Sequence, residues 1–147
     1  MTKRIIKLFL RLAISFGFLS ASADRFGWWP QDVSAWGNWN AFLEYTEILN
    51  PWVPIYLIPT VAITATAAEI IFALFLLLGL KTELVAKLSG FLLLFFALSM
   101  TFLTGIKGVF DYSVFSASAA AFALSLMKYK FLEMDSLFLN KNKYRKY

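Results

Sequence analysis

Charged residues divide the chain into long apolar stretches. The uncharged runs lie between residues 47 and 69, 69 and 81, 87 and 107, and 111 and 128. A helix needs about 20 mainly apolar residues to cross a hydrocarbon core of about 30 Å. The pattern therefore predicts four membrane-spanning helices, over residues 5–23, 56–80, 88–106 and 112–127. We expect an all-α, polytopic membrane four-helix bundle in contact with the lipid bilayer.

The first predicted span also has features of a secretory signal peptide. Lys3, Arg4 and Lys7 precede an apolar run that ends in the small residues 21–23, and cleavable leaders share this arrangement. Arg11, however, interrupts the stretch that is uniformly hydrophobic in a leader. We therefore expect a helix that is retained in the protein.

Basic residues in the flanks and loops predict the orientation in the membrane. Most of them lie in the N-terminal flank, the second loop and the tail at 128–147: Lys3, Arg4, Lys7, Arg11, Lys81, Lys87, Lys128, Lys130, Lys141, Lys143, Arg145 and Lys146. The opposite side has only Arg25 and Lys107. Because basic loops favour the cytoplasm, we expect a multi-pass protein of the bacterial cytoplasmic (inner) membrane with both termini cytoplasmic. The basic tail is expected to contact anionic lipid headgroups rather than nucleic acid.

The first outer loop, residues 24–55, contains all the tryptophans: Trp28, Trp29, Trp36, Trp39 and Trp52. Asn38 is a suitable N-cap, and Asn50 with Pro51 ends the apolar pattern that follows it. We expect a short interfacial helix over residues 39–49. Two roles stay open for it, either anchoring the protein at the membrane interface or covering a buried pocket.

Composition narrows the chemistry of the chain. Hydrophobic residues make up 60% and charged residues 16%, against about 45–50% and about 25% in soluble domains, which excludes a soluble globular protein. The chain has no Cys and no His. Thiol chemistry, the usual zinc and haem sites and a Ser–His pair are thereby excluded. We expect no metal site, and the catalytic residues of any reaction are unknown.

Small residues recur at every fourth position in two of the predicted spans. They are Ala13, Gly17 and Ala21 in the first span and Ser113, Ala117, Ala121 and Ser125 in the last. Helices in lipid associate through close backbone approach at small residues. The two stripes therefore predict tight packing within the bundle.

Glu69 is an acid in the interior of the second predicted span. An intramembrane acid costs at least about 2.5 kcal/mol on insertion scales, and it pairs, faces a cavity or stays neutral. Arg11 lies at a similar depth when measured from the outer face, and Ser15 and Thr66 are polar neighbours of the two groups. Either Arg11 pairs with Glu69, or Arg11 extends to cytoplasmic headgroups while a neutral Glu69 bonds to another helix.

A second polar group is predicted at the outer rim. Asp24 and Arg25 directly follow the first span, and Asp111 and Tyr112 lie at the start of the last one, near Lys107. Charged groups at helix ends are usually solvated, so a functional cluster and a solvated rim are both open interpretations.

Four short segments resemble the DoxX-like family of small four-helix membrane proteins. Residues 11–19 run from Arg-Leu-Ala to Phe-Leu, and residues 24–26 read Asp-Arg-Phe. Residues 69–82 begin with the membrane acid and end in Gly-Leu-Lys-Thr, and residues 111–115 read Asp-Tyr-Ser-Val-Phe. The resemblance extends over about residues 4–127.

This resemblance implies a four-helix membrane fold. Some members of the family are subunits of quinone-linked, sulfur-oxidising enzymes. The positions that match the family are Arg11, Asp24, Arg25, Glu69 and Asp111. Because this chain lacks Cys, any disulfide chemistry would need another protein.

From these residues and from the resemblance we expect one of two functions. In the first, the chain belongs to a membrane redox complex and contacts quinone, a non-covalent cofactor, with Glu69 or Asp111 relaying protons. In the second, it is a non-enzymatic scaffold or assembly protein of a larger complex. Both require other membrane protein subunits as partners, and the sequence does not decide whether the chain is an enzyme.

Overall fold

The computed structural model describes residues 2–136, and the regular elements in this range are helices. In chain order they are α1 (Thr2–Arg25), α2 (Trp39–Leu49), a 3-10 turn (Ile55–Leu57), α3 (Ile58–Leu78), α4 (Thr82–Leu103), α5 (Ile106–Asp111) and α6 (Val114–Ser125).

Three helices in the described range are long and apolar enough to cross a membrane. They are α1, α3 together with the preceding 3-10 turn, and α4. The all-helical class predicted by the sequence is thus confirmed, and the three apolar helices are compatible with the predicted membrane protein. The stretch predicted as a fourth span, 112–127, forms the shorter apolar helix α6. Ser113 has a left-handed backbone with φ of 55°, so the helix begins only after it.

The helix boundaries follow from local capping. Pro59 occupies the first turn of α3, where its missing N–H costs nothing. Gly79 ends α3 with φ of 69°, and the Leu80 N–H bonds to the Phe75 carbonyl at 2.8 Å, as in a Schellman motif. The α4 helix begins before the predicted residue 88, because Asp135 accepts hydrogen bonds from backbone N–H groups at its start.

The helix predicted over residues 39–49 is present as α2. The Asn38 side chain accepts a hydrogen bond of 2.9 Å from the Ala41 N–H, as expected of an N-cap. Phe42, Thr46 and Leu49 form its buried face.

The four longer apolar helices pack side by side. The α1 helix lies between α3 and α6, and α4 contacts both α6 and α3. One apolar core cluster joins these four helices: Ile14, Phe18, Ala73, Leu76, Val85, Ala86, Ala121 and Leu124. We call the end of the molecule with the α3–α4 turn the basal end, and the end with residues 26–57 the loop end.

Two of the three residues in the small-residue stripe of α1 do not pack inside the described part of the protein. Ala13 is exposed, and a Cβ added at Gly17 would meet nothing within 4 Å. In α6, by contrast, Ala121 is fully buried. The close approach occurs instead at Gly90 of α4, whose carbonyl accepts a 2.8 Å hydrogen bond from the Ser118 hydroxyl.

Gly90 and Gly17 provide a matched test of this packing. A Cβ at Gly90 would lie 2.8 Å from the Phe122 ring, so Gly90→Ala should destabilise the protein by about 1–3 kcal/mol through overpacking. Gly17→Ala should be neutral or stabilising by up to about 1 kcal/mol, because alanine restricts the unfolded chain. Unfolding in detergent measures both, and equal effects of the two substitutions would contradict the packing described.

Candidate functional site

A buried ion pair joins α1 to α3 near the loop end. Arg25 is the last residue of α1, and Glu69 lies near the middle of α3. Arg25 Nη1 is 2.7 Å from Glu69 Oε2, and Nη2 donates to Oε1 at 2.9 Å. The two side chains are only 3% and 2% exposed. The contact therefore combines one charge-assisted hydrogen bond, to Oε1, with a close approach of opposite charges at Oε2.

Thr66 completes the polar part of this site. It lies one helical turn before Glu69, and its Oγ1 accepts a 2.8 Å hydrogen bond from Arg25 Nη1. A hydroxyl that accepts a hydrogen bond still has a proton to donate. Thr66 therefore offers a donor beside the ion pair.

Aromatic rings cover the guanidinium. The Arg25 guanidinium lies 4.0 Å from the centroid of the Phe42 ring and 5.2 Å from that of Trp36. Both distances are within the range of cation–π attraction. The Trp36 and Phe42 rings also meet edge to face at 5.2 Å. The α2 helix and the loop before it thus form a lid on the pair.

Asp24 holds the loop that brings Trp36 into place. Its carboxylate accepts hydrogen bonds from the Ser34 hydroxyl, from the Ala35 N–H at 3.0 Å and from the Trp36 N–H at 2.9 Å. The last two residues of α1 therefore have complementary roles. Arg25 provides the guanidinium under the lid, and Asp24 holds the loop that places Trp36 over it.

The buried face of α2 continues to the C-terminal end of the helix. Leu49 belongs to a second apolar cluster with Ala97, Met100 and Val109, and Tyr45 packs against this cluster. Burial raises the pKa of the Tyr45 phenol above its ordinary value. The lid is therefore attached to α4 and α5 as well as to α1.

An open apolar groove of about 340 Å³ adjoins the ion pair. Its lining residues are Phe26, Trp39, Ile63, Thr66, Ala67 and Ile70. The rings of Phe26 and Trp39 are nearly parallel, at 9°, with centroids 6.2 Å apart. Thr66 is the polar residue of this lining and also contacts Arg25.

Arg11 does not pair with Glu69 and does not reach outward to headgroups. It is 1% exposed, and its guanidinium donates to the carbonyl oxygens of Leu76 and Leu77 at the end of α3. Ser15 bonds back to the Arg11 carbonyl at 2.7 Å within α1. Both alternatives considered for Arg11 from the sequence are therefore wrong, whereas Glu69 and Thr66 do lie together in the interior.

The predicted outer-rim group divides into two parts. Asp24 and Arg25 are buried under the lid. Asp111 and Tyr112 are exposed at the end of α5, where Asp111 forms an ion pair with Lys107. Arg25 is thus the partner that sequence reasoning left at the rim. The available signal was an arginine closing an apolar helix ahead of a loop rich in aromatic residues.

Within residues 2–136 no group of three or more acidic side chains is placed to hold a metal ion. The site itself consists of a paired arginine and glutamate, a threonine hydroxyl and an apolar groove.

Removal of either partner of the buried pair should be costly. Arg25→Gln and Glu69→Gln should each lower the free energy of unfolding by about 3–5 kcal/mol, because the remaining charge is buried without a counter-ion. The double variant should lose less than the sum of the two. A double-mutant cycle on unfolding in detergent measures this coupling.

Arg11→Gln provides the matched control for that cycle. Arg11 and Glu69 share no contact, so their losses should simply add. A larger coupling of Glu69 to Arg11 than to Arg25 would contradict the site described here.

The chain matches no protein-family model, no curated protein and no solved structure.

Proposed function

We propose that this chain is a DoxX-like integral membrane protein that serves as a non-enzymatic scaffold or assembly subunit of a larger membrane complex. The observation that carries the proposal is the burial of Glu69 and its pairing with Arg25. The acid is bonded to Arg25 beneath an aromatic lid and is almost completely buried. A proton relay needs an acid that exchanges protons with water or substrate, whereas a closed pair fixes the helices relative to each other.

Exposed apolar side chains support placement in a bilayer. Phe9 and Phe16 of α1, Ile63 of α3, and Phe95 and Phe102 of α4 are all largely exposed. Soluble monomers rarely expose apolar surface on this scale. Lipid tails, or neighbouring transmembrane helices, are the partners that such surface requires.

We further propose that α6 is the fourth, short crossing of a four-helix bundle. It packs along α4 and α1 as a membrane helix would. The α5 helix before it contains the exposed ion pair of Lys107 and Asp111, which suits the outer interface. The α2 helix is proposed to lie at that same interface, with both termini of the chain in the cytoplasm.

Cysteine labelling tests this topology directly, because the chain has no native Cys. Val33→Cys, which is exposed at the loop end, should react with a membrane-impermeant maleimide in intact cells. Leu132→Cys, which is exposed after α6 at the other end, should react only after permeabilisation. The reverse pattern would overturn the orientation and a uniform pattern would overturn the crossing.

A second candidate function rests on the groove. In a subunit of a membrane redox complex, the apolar ring and tail of a quinone would lie against Phe26 and Trp39. The Thr66 hydroxyl would donate to a carbonyl oxygen of the headgroup. The chain's own residues would bind and orient the quinone, and the electrons would come from a partner subunit.

Purification in a mild detergent separates the two functions. A scaffold should be recovered with partner subunits in fixed stoichiometry and without quinone in the organic extract. A redox subunit should retain quinone, and Ala67→Trp, which fills the groove, should remove it. Ala13→Trp is the matched control, since Ala13 is an exposed alanine outside the groove. Recovery of a chain with neither partner nor quinone would overturn both proposals.

A further inference from the structure

A second buried polar cluster lies at the basal end of the molecule. Lys7 of α1 is fully buried there. Its ammonium is 2.6 Å from Glu133 Oε1 and donates to the carbonyl oxygens of Met127 at 2.7 Å and Tyr129 at 2.6 Å. The stretch from Met127 to Glu133 therefore folds back onto the start of α1.

Arg11 extends this attachment to the end of α3. Its Nη1 donates to the carbonyl oxygens of Phe131 and Leu132, at 3.1 and 2.9 Å. Its Nε and Nη2 donate to those of Leu76 and Leu77, at 2.8 and 3.0 Å. One guanidinium thus joins α1, the last turn of α3 and the returning segment.

Asp135 attaches the same segment to the start of α4. Its carboxylate accepts from the backbone N–H groups of Lys81 and Thr82, at 2.9 and 3.3 Å, and its own N–H donates to the Gly79 carbonyl at 3.2 Å. An acid at this position stabilises the N-terminus of a helix. The fit is close, since a Cβ at Gly79 would lie 2.6 Å from Glu133 Cα.

Lys130 adds ion pairs between this segment and α4. Its ammonium lies 3.2 Å from a Glu83 carboxylate oxygen on α4 and 3.6 Å from those of Glu133 and Asp135. Partial burial by itself lowers the pKa of Lys130, but the Glu83 hydrogen bond and the three acids together raise it above its ordinary value.

We infer that residues 127–135 form a clasp, a segment that closes the basal end and opens as a unit while the helices stay packed. Its carbonyl oxygens at four positions accept from Lys7 and Arg11 of α1. Apart from Glu133, the residues of this segment are half-buried or exposed, so its attachments to the helices are chiefly polar. Segments with few buried apolar contacts open more easily than the core. Opening would unmask the two buried cations of α1 and release the α3–α4 turn.

Thiol labelling tests this inference on the purified full chain in detergent. Thr82→Cys is the reporter, because Thr82 is fully buried beside Asp135 and its hydroxyl has no hydrogen-bond partner among the described residues. Val109→Cys, fully buried near the loop end, reports on the helices. Leu132→Cys, exposed on the clasp, reports the intrinsic reactivity of the reagent.

Lys7→Met removes the buried ammonium and should raise the labelling rate of Thr82→Cys at least about 10-fold. Lys3→Met, on the same helix but exposed, should leave it unchanged. Val109→Cys should stay slow in both backgrounds. Thr82→Cys labelling as fast as Leu132→Cys in the unaltered background, or no response to Lys7→Met, would overturn the clasp.

Glu133→Gln is the milder variant, used because loss of Lys7 could unfold the whole chain. It removes the charge partner and keeps the side-chain shape, so the Thr82→Cys rate should rise by a smaller factor while Val109→Cys stays slow. A parallel rise at both reporters in Glu133→Gln would show that the segment does not open separately from the helices, and would overturn the inference.

Discussion

A guanidinium in an apolar interior must be both neutralised and hydrogen-bonded, and the arrangement of the loop end follows from how Arg25 meets this demand. Glu69 provides the charge and Thr66 an additional acceptor. Because the carboxylate lies in the middle of α3, the pair fixes how far α1 and α3 slide along each other. The remaining face of the guanidinium is covered by Trp36 and Phe42, so the pair also determines where α2 docks.

The α1 helix is built with its polar side inward. Its buried residues include Lys7, Arg11, Ser15 and Arg25, whereas Phe16 points outward. In water this arrangement would be unfavourable, since a soluble helix buries its apolar stripe. In lipid the preference is reversed, because the tails solvate phenylalanine and the charged groups need partners inside the protein. The charged groups of α1 find those partners at two places. Arg25 is paired at the loop end, and Lys7 and Arg11 are bonded at the basal end.

The sequence predicted the local features well and the long-range pairing poorly. An apolar run identifies a span, Asn38 identifies the start of α2, and a single acid in an apolar stretch identifies Glu69. The choice between Arg11 and Arg25 as its partner depends on how far α1 and α3 are offset along their axes. A depth counted from the outer ends of the two helices assumes that both helices end at the same level. The clasp was missed because Lys7 and Arg11 bind mainly backbone carbonyl oxygens, which every residue has. The basic residues predicted to contact lipid at 141–146 lie outside the described residues.

Thr66 links the two functions proposed for the loop end. Its hydroxyl oxygen accepts from Arg25, so its proton is directed away from the guanidinium, and the residue also lines the groove. In a scaffold this geometry only gives Arg25 one more hydrogen-bond acceptor, and a valine at position 66 would weaken the fold without affecting any ligand. In a quinone site the same hydroxyl would transmit the field of the ion pair to the bound carbonyl. The buried pair would then polarise a ligand that it does not touch, and Glu69 would act without exchanging a proton.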